Sequence, residues 1–147
     1  NRRALLNELG SWAGRAPAGG PASRALTAGE LVALASGGIV EIGAHTVTHP
    51  LLSSLTAEMQ RNEIRQSKVM IEEVVGRPVT HFAYPYGDYA PETVAIVKEA
   101  GFASACSTRT GVVQQNTDCY ELPRVAVENW DGDEFAKRLA GWFGGTL

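Results

Sequence analysis

EIGAHTVTHPLLSSL, residues 41–55, holds two of the chain's three histidines, His45 and His49, with Pro50 directly after the second. Zinc takes its nitrogen ligands at about 2.1 Å, so two ligating histidines must converge on one point. In an extended strand, residues four apart are separated by about 13 Å and cannot share an ion. On a helical turn the same spacing brings the Cβ atoms to about 6 Å. Thr46, Val47 and Thr48 are poor helix formers, and Pro50 turns His49 away from helical dihedrals. The geometry left is one tight turn at a strand end. Two readings of it stay open: a metal site, or two histidines that hydrogen-bond backbone around a turn.

On either side of this turn, helix and strand patterns alternate. TAGELVALASGG (27–38) opens with Thr27 and Glu30 at capping-box spacing, carries Leu31, Leu34 and Ala35 as an apolar stripe, and ends at Gly37 and Gly38. IVEIGA (39–44) reads as a short strand. Thr56 caps the helix 57–75, whose inner face carries Gln60, Ile64, Ser67, Ile71 and Val74/Val75, with Gly76 past its end. PVTHFAYP (78–85) is a strand stopped by Pro85. PETVAIVKEA (91–100) is a helix with Pro91 in its first turn. FASACST (102–108) and LPRVAV (122–127) are strands, and DEFAKRLAGWF (133–143) is a closing helix. Ahead of these, Leu5, Leu6, Leu9 and Trp12 fall at helical spacing, and RAPAGGPAS (15–23) is a turn-rich break. This alternation predicts an α/β protein with a parallel sheet, whose ligand sites lie at the carboxyl ends of the strands. His45, His49 and the stretch YPYGDY (84–89) fall on that edge. His81, alone in a strand beside Phe82, reads as structural.

The 147 residues suit one domain with one core. Apolar residues at 44% and charged residues at 20% describe a globular chain. A net charge of -3 with no basic cluster argues against a nucleic-acid partner. No apolar run approaches the roughly 20 residues that span a bilayer, and no signal peptide is visible. Cys106 and Cys119 match no metal motif and read as free thiols or one disulfide.

The motifs resemble the polysaccharide deacetylases, carbohydrate esterase family four or NodB-homology domains. EIGAHTVTHPLLSSL is similar to the family's H-[ST]-x-x-H metal motif. HFAYPYGDYAPETVAIVKEAGFASACST (81–108) resembles its aromatic-Pro-Tyr-Gly segment, and LPRVAV its later arginine-bearing strand. The resemblance runs from about residue 27 to 143 within a single domain spanning 1–147. FAYPYG is most similar to the poly-N-acetylglucosamine deacetylase branch.

The resemblance implies a partial, distorted (β/α) barrel of the glycoside hydrolase/deacetylase type. It implies a divalent metal, usually Zn2+, held by His45 and His49 with one aspartate. The activity implied is hydrolysis of carbon–nitrogen bonds other than peptide bonds: removal of N-acetyl groups from a polysaccharide or oligosaccharide. The Tyr86 N–H would stabilise the oxyanion and Arg124 would orient a catalytic carboxylate. Pro85, Tyr86 and Trp130 are the expected glycan contacts, with Trp130 equally able to serve as a structural anchor; Trp142 reads as core. A periplasmic, extracellular or cell-envelope location is implied for such a protein.

The chain departs from the family pattern in three places. The T-F-D-D motif, source of the third ligand and the base, has no counterpart in residues 1–40, where the acidic residues are Glu8 and Glu30. No histidine follows His81 to act as general acid, and Ala83 stands where many members have arginine. Glu41 and Asp88 are the substitutes the sequence offers for the lost ligand. The expectation is a C-terminal deacetylase portion whose first strands are missing, inactive by itself and self-associating through an uncovered sheet edge. A non-catalytic carbohydrate-binding remnant and an amidase acting on small cyclic amides or ureides are the competing expectations.

Overall fold

A computed structural model of the chain describes residues 2–12, 14 and 24–144. RAPAGGPAS (15–23) lies outside the described residues. The helices are α1 (Arg2–Trp12), α2 (Ala28–Ser36), α3 (Ala57–Val75), α4 (Pro91–Glu99) and α5 (Gly132–Trp142). The strands are β1 (His81–Ala83), β2 (Ser104–Thr110) and β3 (Leu122–Arg124), paired in that order and all parallel. This is the expected α/β arrangement, with a partial parallel sheet of the barrel type.

Capping explains where the helices begin. Thr27 Oγ1 accepts from the Glu30 N–H, while Glu30 Oε2 accepts from the Thr27 N–H, closing the capping box of α2. The Arg24 guanidinium, and then the Thr27 N–H and hydroxyl, hold the Glu30 carboxyl at about 2. Thr56 caps α3, and Gly76 ends it in the left-handed conformation.

The strands are shorter than the sequence suggests because prolines and side chains take ladder positions. Pro78 and Pro85 carry no N–H, and the Val79 N–H is taken by Glu72 Oε1 at 2.8 Å. Only His81–Ala83 remains regular, in register with Ser104–Cys106. Pro123 interrupts β3 in the same way, and the β2–β3 register shifts between Cys106 and Thr110. The expected strand 39–44 contributes one bridge. The Ala44 N–H donates to the His81 carbonyl and the Ala44 carbonyl accepts from the Ala83 N–H, which sets this segment on the outer side of β1. Gly43 permits that approach, since a Cβ there would lie 3.1 Å from the His81 carbonyl oxygen.

Ala44, Leu52, Ile64, Val79, Phe82, Tyr84, Ile96, Val97, Phe102 and Ala105 form one buried core between the sheet and helices α3 and α4. The inner face of α3 is as expected over Gln60, Ile64 and Ser67, which are buried, and over half-buried Ile71 and Val75, whereas Val74 is exposed. Three apolar stripes depart from expectation. In α1, Leu5, Leu9 and Trp12 are exposed, Trp12 at 88%. In α2, Ala35 is buried but Leu34 is exposed. In α5 no residue is buried, and Trp142 packs against Trp130 (ring centres 6.1 Å apart) instead of entering the core.

Candidate active site

The backbone marks the site before any side chain does. Among the described residues, three that are not glycine have positive φ: Thr46 (63°), His49 (59°) and Tyr86 (58°). Each costs about 1–2 kcal/mol relative to an ordinary conformation, and such residues cluster where a fold holds side chains for function. Here all three fall in the two turns that follow Ala44 and β1. Those are the carboxyl ends of neighbouring parallel segments, where α/β folds place ligands.

The turns bring three rings together. The His45 and His49 ring centres are 4.8 Å apart, and His49 and Tyr86 are 4.5 Å apart, both edge to face. Two zinc ligands lie about 3.4 Å from each other across a tetrahedral ion, a separation that rings this close can reach. His45 Nδ1 lies 2.8 Å from the Ala83 carbonyl oxygen, so that nitrogen carries the proton, and in the neutral ring the lone pair falls to Nε2. Ala83, standing where an arginine was expected, therefore orients the first histidine through its backbone. The spacing alone left two readings open: the rings converge, as a metal site requires, and His45 bonds backbone, as the other reading requires.

Four side chains hold the turns. Thr46 Oγ1 donates to the His45 carbonyl (2.6 Å) and accepts from the His49 N–H (3.1 Å), bracketing the histidine pair. Half-buried Glu63 of α3 accepts from the Val47 N–H (2.8 Å), the Thr48 N–H (2.8 Å) and the Thr48 hydroxyl (2.7 Å). Hydrogen bonds to a carboxylate contribute about 1.5–3 kcal/mol each, enough together to offset two left-handed residues. Burial raises the Glu63 carboxyl, but these bonds from Thr48 and Val47 outweigh it and hold the group below its ordinary value. Asp88 accepts from the Ser53 N–H (2.8 Å) and hydroxyl (2.7 Å), tying the Pro85–Gly87 turn to the turn Leu52–Ser54. Thr108 Oγ1 of β2 donates to the Tyr86 carbonyl at 3.4 Å, across a Gly87 that leaves no room for a side chain.

The substitutes for a third ligand are engaged elsewhere. Both Asp88 oxygens are bonded to Ser53. Glu41 Oε1 lies 3.2 Å from His81 Nε2 and accepts from the Thr80 hydroxyl at 3.2 Å. His81 Nδ1 in turn lies 2.7 Å from Ser104 Oγ, which makes it the structural residue its sequence context suggested. Among the described residues no group of three His, Cys, Asp or Glu could hold a metal ion. The histidine pair therefore offers two donors of a set that needs at least one more.

Pro85 is buried under the turn, while Tyr86 is 65% exposed above it. The Gly87 and Asp88 amides donate back to Tyr84 and Pro85, bonds in which the Tyr86 N–H takes no part. Arg124 ends β3; its Nε donates to the Ser107 carbonyl at 2.7 Å, and it shares a cavity of about 310 Å3 with Thr108, Thr110, Val125 and Ala126. Thr108 links that cavity to the Tyr86 turn. Trp130 sits apart from the three rings in its packing, with Trp142 beside it and the Arg138 guanidinium 4.3 Å over its ring. Cys106 and Cys119 are free thiols.

Glu63 escaped the sequence reading. Its partners 15 and 16 residues away are what reveal its place. The signal available was its position two helical turns past the Thr56 cap, facing back toward the histidine turn.

The sequence model of the polysaccharide deacetylase family matches residues 9–105. YxkH of Bacillus subtilis (strain 168), which carries the name of a polysaccharide deacetylase, is 30% identical over 102 residues. That match covers 69% of this chain and 36% of YxkH. BC0361, a polysaccharide deacetylase from Bacillus cereus, superposes with a TM-score of 0.70 at 25% identity, over 80% of this chain and 37% of its own. The Streptococcus pyogenes deacetylase PplD superposes with a TM-score of 0.73 at 21% identity, over 80% of this chain and 52% of its own, a likeness of fold. The chain thus spans about a third to a half of the relatives it matches. With its two turns, its parallel segments and a family match over most of its length, the chain belongs to the polysaccharide deacetylase family of hydrolases.

Proposed function

We propose that the chain is the portion of a metal-dependent N-deacetylase that carries the histidine pair and the Tyr86 turn. The substrate class is an N-acetylated polysaccharide or oligosaccharide, with poly-N-acetylglucosamine first among them because FAYPYG is similar to that branch. The observation that carries the reading is the convergence of His45, His49 and Tyr86 on strained turns at one sheet edge.

A divalent cation, Zn2+ in the simplest case, would supply Lewis acidity at the histidine pair. The chain's own residues do the rest. The Ala83 carbonyl fixes the His45 tautomer, and Thr46 holds His49 beside it. The Tyr86 N–H would donate to the oxygen that gains charge as the acetamide carbonyl becomes tetrahedral. The exposed Tyr86 ring and Pro85 offer an apolar surface to a sugar ring. Arg124 offers positive charge at the neighbouring strand end, within its cavity. Trp130 would contact a longer glycan only at its free edge, since Arg138 and Trp142 pack on it.

On this reading the third ligand and the base come from a segment outside the 147 residues, and the chain alone does not turn over. A second reading, a carbohydrate-binding remnant without catalysis, is favoured by the lack of a three-donor group among the described residues. Zinc calorimetry separates them. One zinc bound per chain, lost in both His45→Ala and His49→Ala, supports the metal reading; sugar binding indifferent to chelators, with no zinc bound even by a longer chain that carries an acidic third ligand, supports the remnant. Self-association through the outer edge of residues 39–44, where Ile39 is 94% exposed, belongs to the same proposal. Light scattering that finds a monomer would remove it.

A further inference from the structure

We infer that Glu63 is a positioning residue of the metal half-site, holding His45 and His49 in ligating geometry by filling an anion nest in the turn between them. This rests on the proposed metal reading of the histidine pair.

The nest is a backbone feature. With Thr46 left-handed, the successive N–H groups of Val47 and Thr48 point to the same side of the chain and meet a single oxygen, Glu63 Oε2, at 2.8 Å each. Successive N–H groups in such a conformation form a concavity that selects an anion. The other oxygen, Oε1, takes the Thr48 hydroxyl at 2.7 Å. Every polar hydrogen on the two residues between Thr46 and His49's immediate flank is thereby committed to one carboxylate.

That carboxylate comes from a rigid support. Glu63 precedes Ile64, which is fully buried in the core, on the same helix whose first turn Thr56 caps. Its backbone cannot drift without disturbing the core, so the turn is referenced to α3. Left alone, Thr46 and His49 would return to ordinary dihedrals, and the two rings would separate, since a change at either residue swings the chain between them. Thr46 Oγ1 closes the turn locally, but it bonds only inside the turn and cannot set the turn's position relative to β1 and Tyr86.

The chemistry needs a carboxylate in particular. An amide at the same place can set its one oxygen against the two N–H groups, but its NH2 then meets the Thr48 hydroxyl, which has to turn from donor to acceptor. Glu63→Gln is therefore expected to behave as a partial loss and Glu63→Ala as a full one, with Glu63→Asp falling short of the turn.

The test uses the 147-residue chain with two readouts. Hydrogen exchange at the Val47 and Thr48 amides, together with ring contacts between His45 and His49 by NMR, reports the turn without metal. Calorimetry with zinc alone reports the consequence. In Glu63→Ala we expect loss of protection at both amides and loss of the ring contact, while the Ile64 amide keeps its protection. Zinc affinity should fall about 10–100-fold, the range for groups that orient ligands, with Glu63→Gln in between. Ring contact and amide protection that persist in Glu63→Ala would overturn the inference. If the turn collapses in Glu63→Ala but the wild-type sequence binds no zinc even in a longer chain that carries an acidic third ligand, Glu63 holds the turn and the metal reading of the pair is what fails.

Discussion

Replacing Gly87 with alanine tests how the Tyr86 turn is held. Gly87 has φ +69°, and a Cβ built there would lie 2.0 Å from Thr108 Oγ1 and 2.8 Å from both Thr108 Cβ and Cγ2. Two separate costs follow. The left-handed backbone costs an alanine about 1–2 kcal/mol. The overlap with β2 adds about 1–3 kcal/mol, the range for overpacking. Thr108 lies in the middle of a paired strand, so it cannot retreat as a flexible side chain would. The sum, about 2–5 kcal/mol, lowers Tm by roughly 5–15 °C for a chain of this size. Thr108→Ala in the same molecule removes Oγ1 and Cγ2 but leaves the backbone cost and the Cβ contact, so it should restore about half. Gly29, within α2 with nothing inside 4 Å of a built Cβ, is the control: Gly29→Ala should leave stability unchanged or raise it by up to about 1 kcal/mol. Thermal and urea unfolding of the four proteins would decide it. A Gly87→Ala chain within about 0.5 kcal/mol of wild type, or a double variant no more stable than the single one, would refute the close approach of the turn to β2.

Other perturbations probe the remaining supports. The Glu63 carboxyl sits below its unfolded value of about 4.3, so its contribution is fully present above that pH and is lost as pH falls through the folded value. Melting profiles from pH 6 down to pH 3 should therefore be flatter in Glu63→Gln than in wild type, and equal slopes would show that the carboxylate is not what the turn requires. Asp88→Asn exchanges an acceptor for a donor against Ser53 and should cost about 1–2 kcal/mol; Ser53→Ala added to it should cost little more, whereas full additivity would mean that the two are not coupled. Tyr84→Phe removes the 2.9 Å bond to the Tyr120 carbonyl and should cost about 1–1.5 kcal/mol by chemical unfolding. Burial, and then the neighbouring Tyr89, Glu121, Asp118 and Tyr120, push the Tyr84 phenol above its ordinary range, so spectrophotometric titration should find it un-ionised until the chain unfolds.

The amino-acid sequence by itself determined the order of elements, the helix caps and the histidine turn. Those are local matters: Thr27 with Glu30, Thr56, Gly76 and Pro91 act on backbone groups within a few residues, and Thr46–Pro50 excludes both strand and helix through its own dihedral preferences. The family resemblance was legible for the same reason, because HTVTH and YPYG are contiguous. Strand lengths were less so, since whether Val79 donates to a neighbouring strand or to Glu72 depends on a helix that ends four residues earlier. The fate of the apolar stripes was not legible at all. Leu5, Leu9, Trp12 and Leu34 carry helical periodicity whether or not anything covers them, and burial is a property of neighbours. The tertiary structure alone decided that Ala83 orients His45, that Glu63 fills the turn between the histidines, and that Asp88 and Glu41 are spent on Ser53 and His81. Each of those is a bond between residues 15 to 40 positions apart, and a carboxylate's partners at that range are set by the packing of α3 and β1 against the core, which no local pattern records.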